Sequence, residues 1–320
     1  MMATKSDILK IDPLPRDFAF GAVVRGLTPG MIHEDAVCDE LRSLWLAKGV
    51  LVFKDLPADP LFQIELSKVF GPLEVHPLRS TLSEEYPELG RIKQDPEDVH
   101  ICRIGDSQRA GFLPWHKDLI YVDRINHGGI LRAIQMPESG GYTGFLDQVA
   151  LYETLPDDLK ERIDGLWGVY RADFDPGNKR FGNRPETLRL GTMMTKLQTR
   201  LDQFSDVLHP LVFTHPEINK KVLNVSPWFL AGIDGLEGEE EAELLERLVA
   251  HSEADELAYF HHWQLGDMVL WDNWRVLHCA YGTAVDDRRW VERTTIQGDY
   301  EFGRAAGNGV ATDAALHMSI

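Results

Sequence analysis

Five short runs of apolar and β-branched residues constrain the fold of this chain more than any other feature. They are GVLVFKD (49–55), GILRAIQMP (129–137), KVLNVSP (221–227), DMVLWDN (267–273) and VERTTIQG (291–298). Apolar runs of roughly four to eight residues with turn formers at their ends read as strands. Regular helices do not alternate with them, so a parallel βαβ sheet is not expected. The pattern calls for a sandwich or barrel with helices outside. Helices are predicted over 34–48, 60–71 and 235–252. In the last, Leu244, Leu245 and Leu248 recur at helical spacing, and acids cluster in the first turn, where the helix dipole favours them. The segment 147–166 predicts two short helices broken at Leu155-Pro156.

The stretch 171–206 lacks a clean period. It carries seven basic residues, with Gly, Pro and Asn in its first half. A loop this long inside a domain is usually functional or mobile, so it is a candidate lid. No shift in composition marks a boundary, and one domain over 1–320 is expected. Thirty-three basic against fifty-one acidic residues leave a net charge of −18, which argues against nucleic acid and anionic membranes as partners. A buried pocket can still be positive within such a shell. No run approaches the roughly 18 apolar residues of a membrane span, and the N-terminus lacks the apolar run of a signal peptide. Cys38, Cys102 and Cys279 are widely spaced, with no CxxC pair, which suits a reducing compartment. The expected location is the cytoplasm.

The chemistry concentrates in two places. PWHKD sets His116 and Asp118 two residues apart. On a strand both would face one side, either as a hydrogen-bonded pair or as two ligands of a metal. Far downstream, His278 follows the apolar run DMVLWDN, with Arg289 and Arg293 eleven and fifteen residues later. Two imidazoles and one carboxylate on one face of an octahedral ion leave three positions open, which suits a non-haem Fe(II) enzyme with a chelating co-substrate and O₂. A buried arginine near such an ion needs an anion, and a dicarboxylate co-substrate would supply one. His209 and His215 flank a hairpin-like segment and read as turn residues. Trp115, Trp271 and Trp274 read as core filling.

Six segments in order, LAKGVLVFKDLP, FGPLEVHPL, WHKD, GGYTGFLDQVALYETLP, HPLVFTHPEINKKVLNVS and HHWQLGDMVLWDNWRVLHCA, together with the spacing from Asp118 to Thr143, resemble the taurine dioxygenase family over nearly the whole chain. The resemblance implies a mainly β fold with flanking helices, a double-stranded β-helix (jelly roll, cupin-like). It implies Fe(II), 2-oxoglutarate and O₂ as cofactors, with His116, Asp118 and His278 as iron ligands and Thr143 and Arg289 on the distal carboxylate of 2-oxoglutarate. His76 matches a histidine that reaches the acidic group of the substrate. Arg293 matches a second arginine that serves either substrate or co-substrate. Arg79 stands where the taurine enzymes have a tyrosine, and Phe112 where they carry a polar substrate contact. Both departures point to a larger, partly apolar carboxylate or sulfate. His261-His262 has no ligand role in the family and reads as structural, with at most one ring facing inward. The implied reaction is hydroxylation of an unactivated C–H bond with release of succinate and CO₂, and cleavage where that carbon bears a heteroatom. Desaturation or cyclisation by the same site and a non-catalytic binding protein are the alternatives. The family also implies a homo-oligomer.

Overall fold

The computed structural model describes residues 9–75, 82–299 and 301–307, and it is mainly β with flanking helices. The larger sheet runs in the order Lys10–Pro13, Ala22–Arg25, Val50–Phe53, Met268–Asp272, Gly128–Gln135 and Arg289–Ile296, with Leu73–Glu74 and Gly90–Gln94 both pairing with that last strand. Its pairings are antiparallel except that between Ala22–Arg25 and Val50–Phe53. A smaller antiparallel sheet has the order Tyr259–His261, Thr143–Asp147, Val276–Ala280, Leu113–His116.

The period-2 alternation of strands decides what each face does. Val50, Val52, Val269 and Trp271 of the larger sheet share a core with Phe145 and Val276 of the smaller one. The intervening Leu51, Phe53, Met268 and Leu270 belong to a second core with Leu41, Trp45, Phe62 and Leu66, from the helices Asp35–Lys48 and Pro60–Lys68. Both faces are covered, which is why MVLW (268–271) is apolar throughout rather than alternating. Gly49 ends the first helix in the left-handed region (φ 73°), its N–H bonding Trp45 O, so the chain turns directly into the strand at Val50. On its other side the smaller sheet packs Trp115, Leu146 and Leu277 into a third core with Leu244, Leu245 and Leu248 of the helix Gly238–Ser252. The 147–166 segment forms the two expected helices, Gln148–Thr154 and Asp157–Ile163.

Two expectations need correction. The 171–206 segment is not a plain loop, since it contains a strand, Glu186–Arg189, and a helix, Thr192–Gln198. The strand pairs with Ile101–Ile104, and Arg189 donates to the carbonyls of Pro96 (2.6 Å) and Val99 (2.9 Å). Both elements are short and half-exposed, so no apolar period marks them. His209 and His215 are fully buried rather than exposed at turns. Inside, His209 Nε2 donates to Val122 O at 2.8 Å and His215 Nε2 to Asp272 Oδ2 at 3.0 Å. His261 is buried and His262 exposed, in line with one inward ring.

One buried ion pair ties sheet to helix. Arg275 donates to both oxygens of Asp147 at 2.8 Å and to Leu46 O and Ala47 O at 3.1 and 3.2 Å, at the end of Asp35–Lys48. Arg275→Leu strands a buried carboxylate, and a loss of roughly 3–5 kcal/mol is expected. Urea unfolding measures it, and a loss under about 1 kcal/mol would show the pair to be dispensable.

Candidate active site

His116 ends the strand Leu113–His116, and its direct cross-strand partner is His278. Asp118 does not reach the site by strand alternation. The strand stops at His116, and the turn that follows is held from outside. Asn273 Oδ1 accepts from Asp118 N–H, and its Nδ2 donates to Asp118 O, both at 3.0 Å. Lys117, between the two, points into the core. Its Nζ donates to Asn224 Oδ1 and Trp274 O at 2.8 Å, and burial pushes its pKa down to about 7. Arg293 Nη1 donates to Asp118 Oδ2 at 2.9 Å.

The result is a three-membered donor set. Nε2 of His116 and of His278 lie 4.0 and 3.8 Å from Asp118 Oδ1, and one ligand atom from each residue falls within 4.8 Å of the others. Such separations are within about 1 Å of the roughly 3 Å between two neighbouring donors, each about 2 Å from a shared ion. The protonation states also suit a metal. His116 Nδ1 donates to Pro114 O at 2.7 Å, which leaves the Nε2 lone pair on the side of Asp118. Burial holds both rings neutral, lowering His116 and taking His278 down to about 3. Two nitrogens and a carboxylate in this arrangement fit a ferrous ion with open positions.

A second cluster, His127, His215 and Asp272, meets the same distance test but is differently protonated. His215 Nδ1 accepts from Glu217 N–H at 3.2 Å, so its Nε2 carries the hydrogen donated to Asp272 Oδ2. Asp272 Oδ1 accepts from Trp274 N–H at 3.0 Å. No lone pair is left on that nitrogen for a metal. The cluster is a polar core beneath the turn that leads to His278.

Arg289 and Thr143 lie beside the first cluster. Both are buried, and they line the same cavity of about 300 Å³ between the sheets as His116, Asp118, His278 and Arg293. Arg289 makes one hydrogen bond, from Nε to Gly141 O at 3.2 Å, and no acidic side chain pairs with it among the described residues. Burial pulls its pKa down to about 10. A guanidinium so placed suits an anionic partner such as a carboxylate. Trp263, which no spacing in the sequence singles out, completes the group. Its Nε1 donates to Thr143 Oγ1 at 3.0 Å, so the threonine hydroxyl keeps its own hydrogen to give to a ligand.

The substrate candidates fare differently. Arg293 lines the cavity, and its Nη2 is buried with no hydrogen-bond partner among the described residues. Phe112 is not brought there and lines a separate pocket with Arg109 and Tyr281. The cause is a β-bulge. His116 pairs with His278 but Leu113 with Ala280, so three steps on one strand oppose two on the other and Leu113 takes the inward face. His76 and Arg79 lie outside the described residues.

A cavity between mainly antiparallel sheets, two imidazoles and a carboxylate drawn together beside it, and a buried arginine with no acidic partner among the described residues suit one class, the non-haem oxygenases that take an anionic co-substrate. The chain belongs to the Taurine catabolism dioxygenase TauD, TfdA family, whose profile matches residues 10–295. It is 31% identical over 293 residues to the (S)-phenoxypropionate/alpha-ketoglutarate-dioxygenase of Sphingobium herbicidovorans, covering 90% of this chain and 95% of that protein. It is also 31% identical to the alpha-ketoglutarate-dependent 2,4-dichlorophenoxyacetate dioxygenase of Cupriavidus pinatubonensis, over 81% of this chain and 88% of the relative. A taurine dioxygenase of known structure from Burkholderia xenovorans superposes with a TM-score of 0.73 over 98% of this chain and 100% of that one. At 24% identity that likeness speaks to the fold. The protein is thus an enzyme, an alpha-ketoglutarate-dependent dioxygenase, and the family implies Fe(II), 2-oxoglutarate and O₂ as its cofactors. No helix among the described residues is long and apolar enough to cross a membrane.

The buried histidines away from the metal donors make stability depend on pH. Burial takes His127 and His209 from 6.5 down to about 4. Between those values the unfolded chain takes up protons that the fold refuses. The stability they contribute is therefore complete above pH 6.5 and drains as pH falls toward 4, by about 1.4 kcal/mol per pH unit for each ring. Urea midpoints from pH 7 to 4.5 measure this. His209→Phe should remove its share of the slope, and an unchanged slope would show that His209 plays no part.

Proposed function

We propose that this enzyme hydroxylates a C–H bond of a small, anionic, partly apolar organic molecule, with 2-oxoglutarate converted to succinate and CO₂. The reading is of one domain built as a double-stranded β-helix, a topology supported by the two mainly antiparallel sheets on either side of the cavity. His116, Asp118 and His278 would hold Fe(II). Thr143 and Arg289 would grip the distal carboxylate of 2-oxoglutarate. The iron, with 2-oxoglutarate and O₂, supplies the power to oxidise an unactivated C–H bond. The protein supplies placement. Arg293 steadies Asp118 through Nη1 and keeps Nη2 for the acidic group of the substrate. Ile92, Val99, Leu113 and Met194 give the cavity an apolar wall, against which an aryl or alkyl body packs. Relatives named for phenoxypropionate and 2,4-dichlorophenoxyacetate support a substrate of this kind. Hydroxylation next to an ether oxygen would release the two halves, so net C–O cleavage follows from the same step. The 171–206 segment contributes Gly191, Met193 and Met194 to the lining, and we assign it the part of a lid that excludes water.

The single observation that carries the reading is Arg289, buried in the cavity beside the proposed metal donors without a counter-ion among the described residues. A binding protein with no anionic ligand has no physical reason to retain it. The test is succinate release dependent on Fe(II) and 2-oxoglutarate across aryloxyacids, alkyl sulfates and sulfonates. Arg289→Gln should weaken 2-oxoglutarate at least thirtyfold, the equivalent of about 2 kcal/mol for a buried charge pair. No succinate with any of them, together with unchanged 2-oxoglutarate affinity in R289Q, overturns the reading. The differing protonation of the two clusters adds a second expectation. Anaerobic Fe(II) titration should saturate at one equivalent, and His278→Ala should abolish binding while His127→Phe retains it. Two equivalents would sink the tautomer argument.

A further inference from the structure

Gln94 and His100 flank the turn 95–99, both line the cavity, and neither has a task in the account above. Both are more than nine-tenths buried, at 7% and 8% exposure. His100 commits its ring hydrogen, and Gln94 one of its two amide hydrogens, to the strand approach that precedes the proposed metal donors. Gln94 Nε2 donates to Gly111 O at 3.4 Å, and His100 Nε2 donates to Phe112 O at 2.7 Å. Each also keeps an acceptor that no bond uses. Gln94 Oε1 is buried with no hydrogen-bond partner among the described residues. His100 is held neutral by burial, and with Nε2 protonated its Nδ1 carries only a lone pair.

Gly111 explains the orientation of the amide. It lies in the left-handed region (φ 68°), and a Cβ there would sit 1.9 Å from Gln94 Nε2. The close approach presses the amide against the Gly111 carbonyl. Reversing it would set oxygen against oxygen, so Nε2 faces the carbonyl and Oε1 is the free end. A buried acceptor without a donor is costly, and 2-oxoglutarate, a keto-dicarboxylate, cannot satisfy it. The register sets this end beside Arg289 and away from Arg293, the arginine kept for the acidic group of the substrate. Gln94 pairs with Arg289 along the edge strand, whereas Arg293 pairs with Gly90, four residues away. Asp95 and Asp98, engaged by Arg288 and Thr192, also line this end and add negative potential.

We propose that Gln94 and His100 form an acceptor pair that selects substrates bearing an O–H or N–H donor placed away from their anionic group. This rests on the reading of the cavity as the substrate site. A site built around buried acceptors rejects an analogue that lacks the donor more strongly than an apolar wall rejects an extra methyl.

The experiment uses the protein loaded anaerobically with Fe(II) and 2-oxoglutarate, titrated by calorimetry with phenoxyacetate and its 3- and 4-hydroxy and 3- and 4-methoxy derivatives. One hydroxy compound should bind on the order of tenfold tighter than its methoxy partner. Gln94→Met and His100→Phe should each erase that gap. 2-Oxoglutarate affinity, titrated separately into the Fe(II) protein, should persist in both variants, which distinguishes failure here from failure of the Arg289 reading. Equal binding of each hydroxy–methoxy pair, no binding by any probe, or a gap that survives both substitutions overturns the proposal.

Discussion

The site depends on one turn, Asp272–Arg275, because its four residues between them hold several remote segments of the chain. Asp272 accepts from His215, and Asn273 clamps the backbone of Asp118. Trp274 offers its carbonyl to Lys117, and Arg275 closes on Asp147 and the end of the first helix. The same turn feeds the strand that carries His278. Residues more than 150 positions apart in the chain are thereby referred to one rigid element. The proposed metal donors inherit their separations from it, not from the flexibility of their own side chains. Preorganisation of this kind is what placing an ion and a reacting bond together requires.

Electrostatics work against the composition. A chain of net charge −18 repels anions at long range, yet the cavity holds Arg289 and Arg293 below the surface. Arg293 is half neutralised by Asp118, and Arg289 pairs with no acid among the described residues. Inside low-dielectric walls these local charges outweigh the screened field of the surface. The two arginines line one cavity from one strand, two positions on either side of Val291, so a dicarboxylate and a second anion can be held without meeting.

How much was legible follows from where the physics lies. Strands buried on both faces, such as Met268–Asp272, and helices with a clear apolar stripe, such as Gly238–Ser252, announce themselves in the order of residues. The Glu186–Arg189 strand does not, because its pairing is decided by a partner some eighty positions away. Arg289 and Thr143 stood out through ordered resemblance, and the structure buries them together. Trp263, Asn273 and Gln94 carry no motif of their own, since what they do is set by hydrogen bonds across the fold. Phe112 shows the limit of counting by twos. A single bulged residue reverses which side chain faces inward, and no local pattern around PWHKD announces it.

The two His–His–Asp clusters make the same point at the level of a proton. Identical residue types lie at similar separations, and a census of ligands cannot tell them apart. What differs is the partner of the far ring nitrogen. A carbonyl, Pro114 O, draws the hydrogen of His116 onto Nδ1 and bares Nε2. A backbone N–H, that of Glu217, takes the lone pair of His215 Nδ1 and leaves Nε2 protonated against Asp272. Moving a proton within the second ring would set Nδ1–H against N–H, two donors facing in the core, at a cost comparable to a lost hydrogen bond. Backbone polarity one contact removed therefore decides which cluster suits a metal and which is a brace for the turn beneath it.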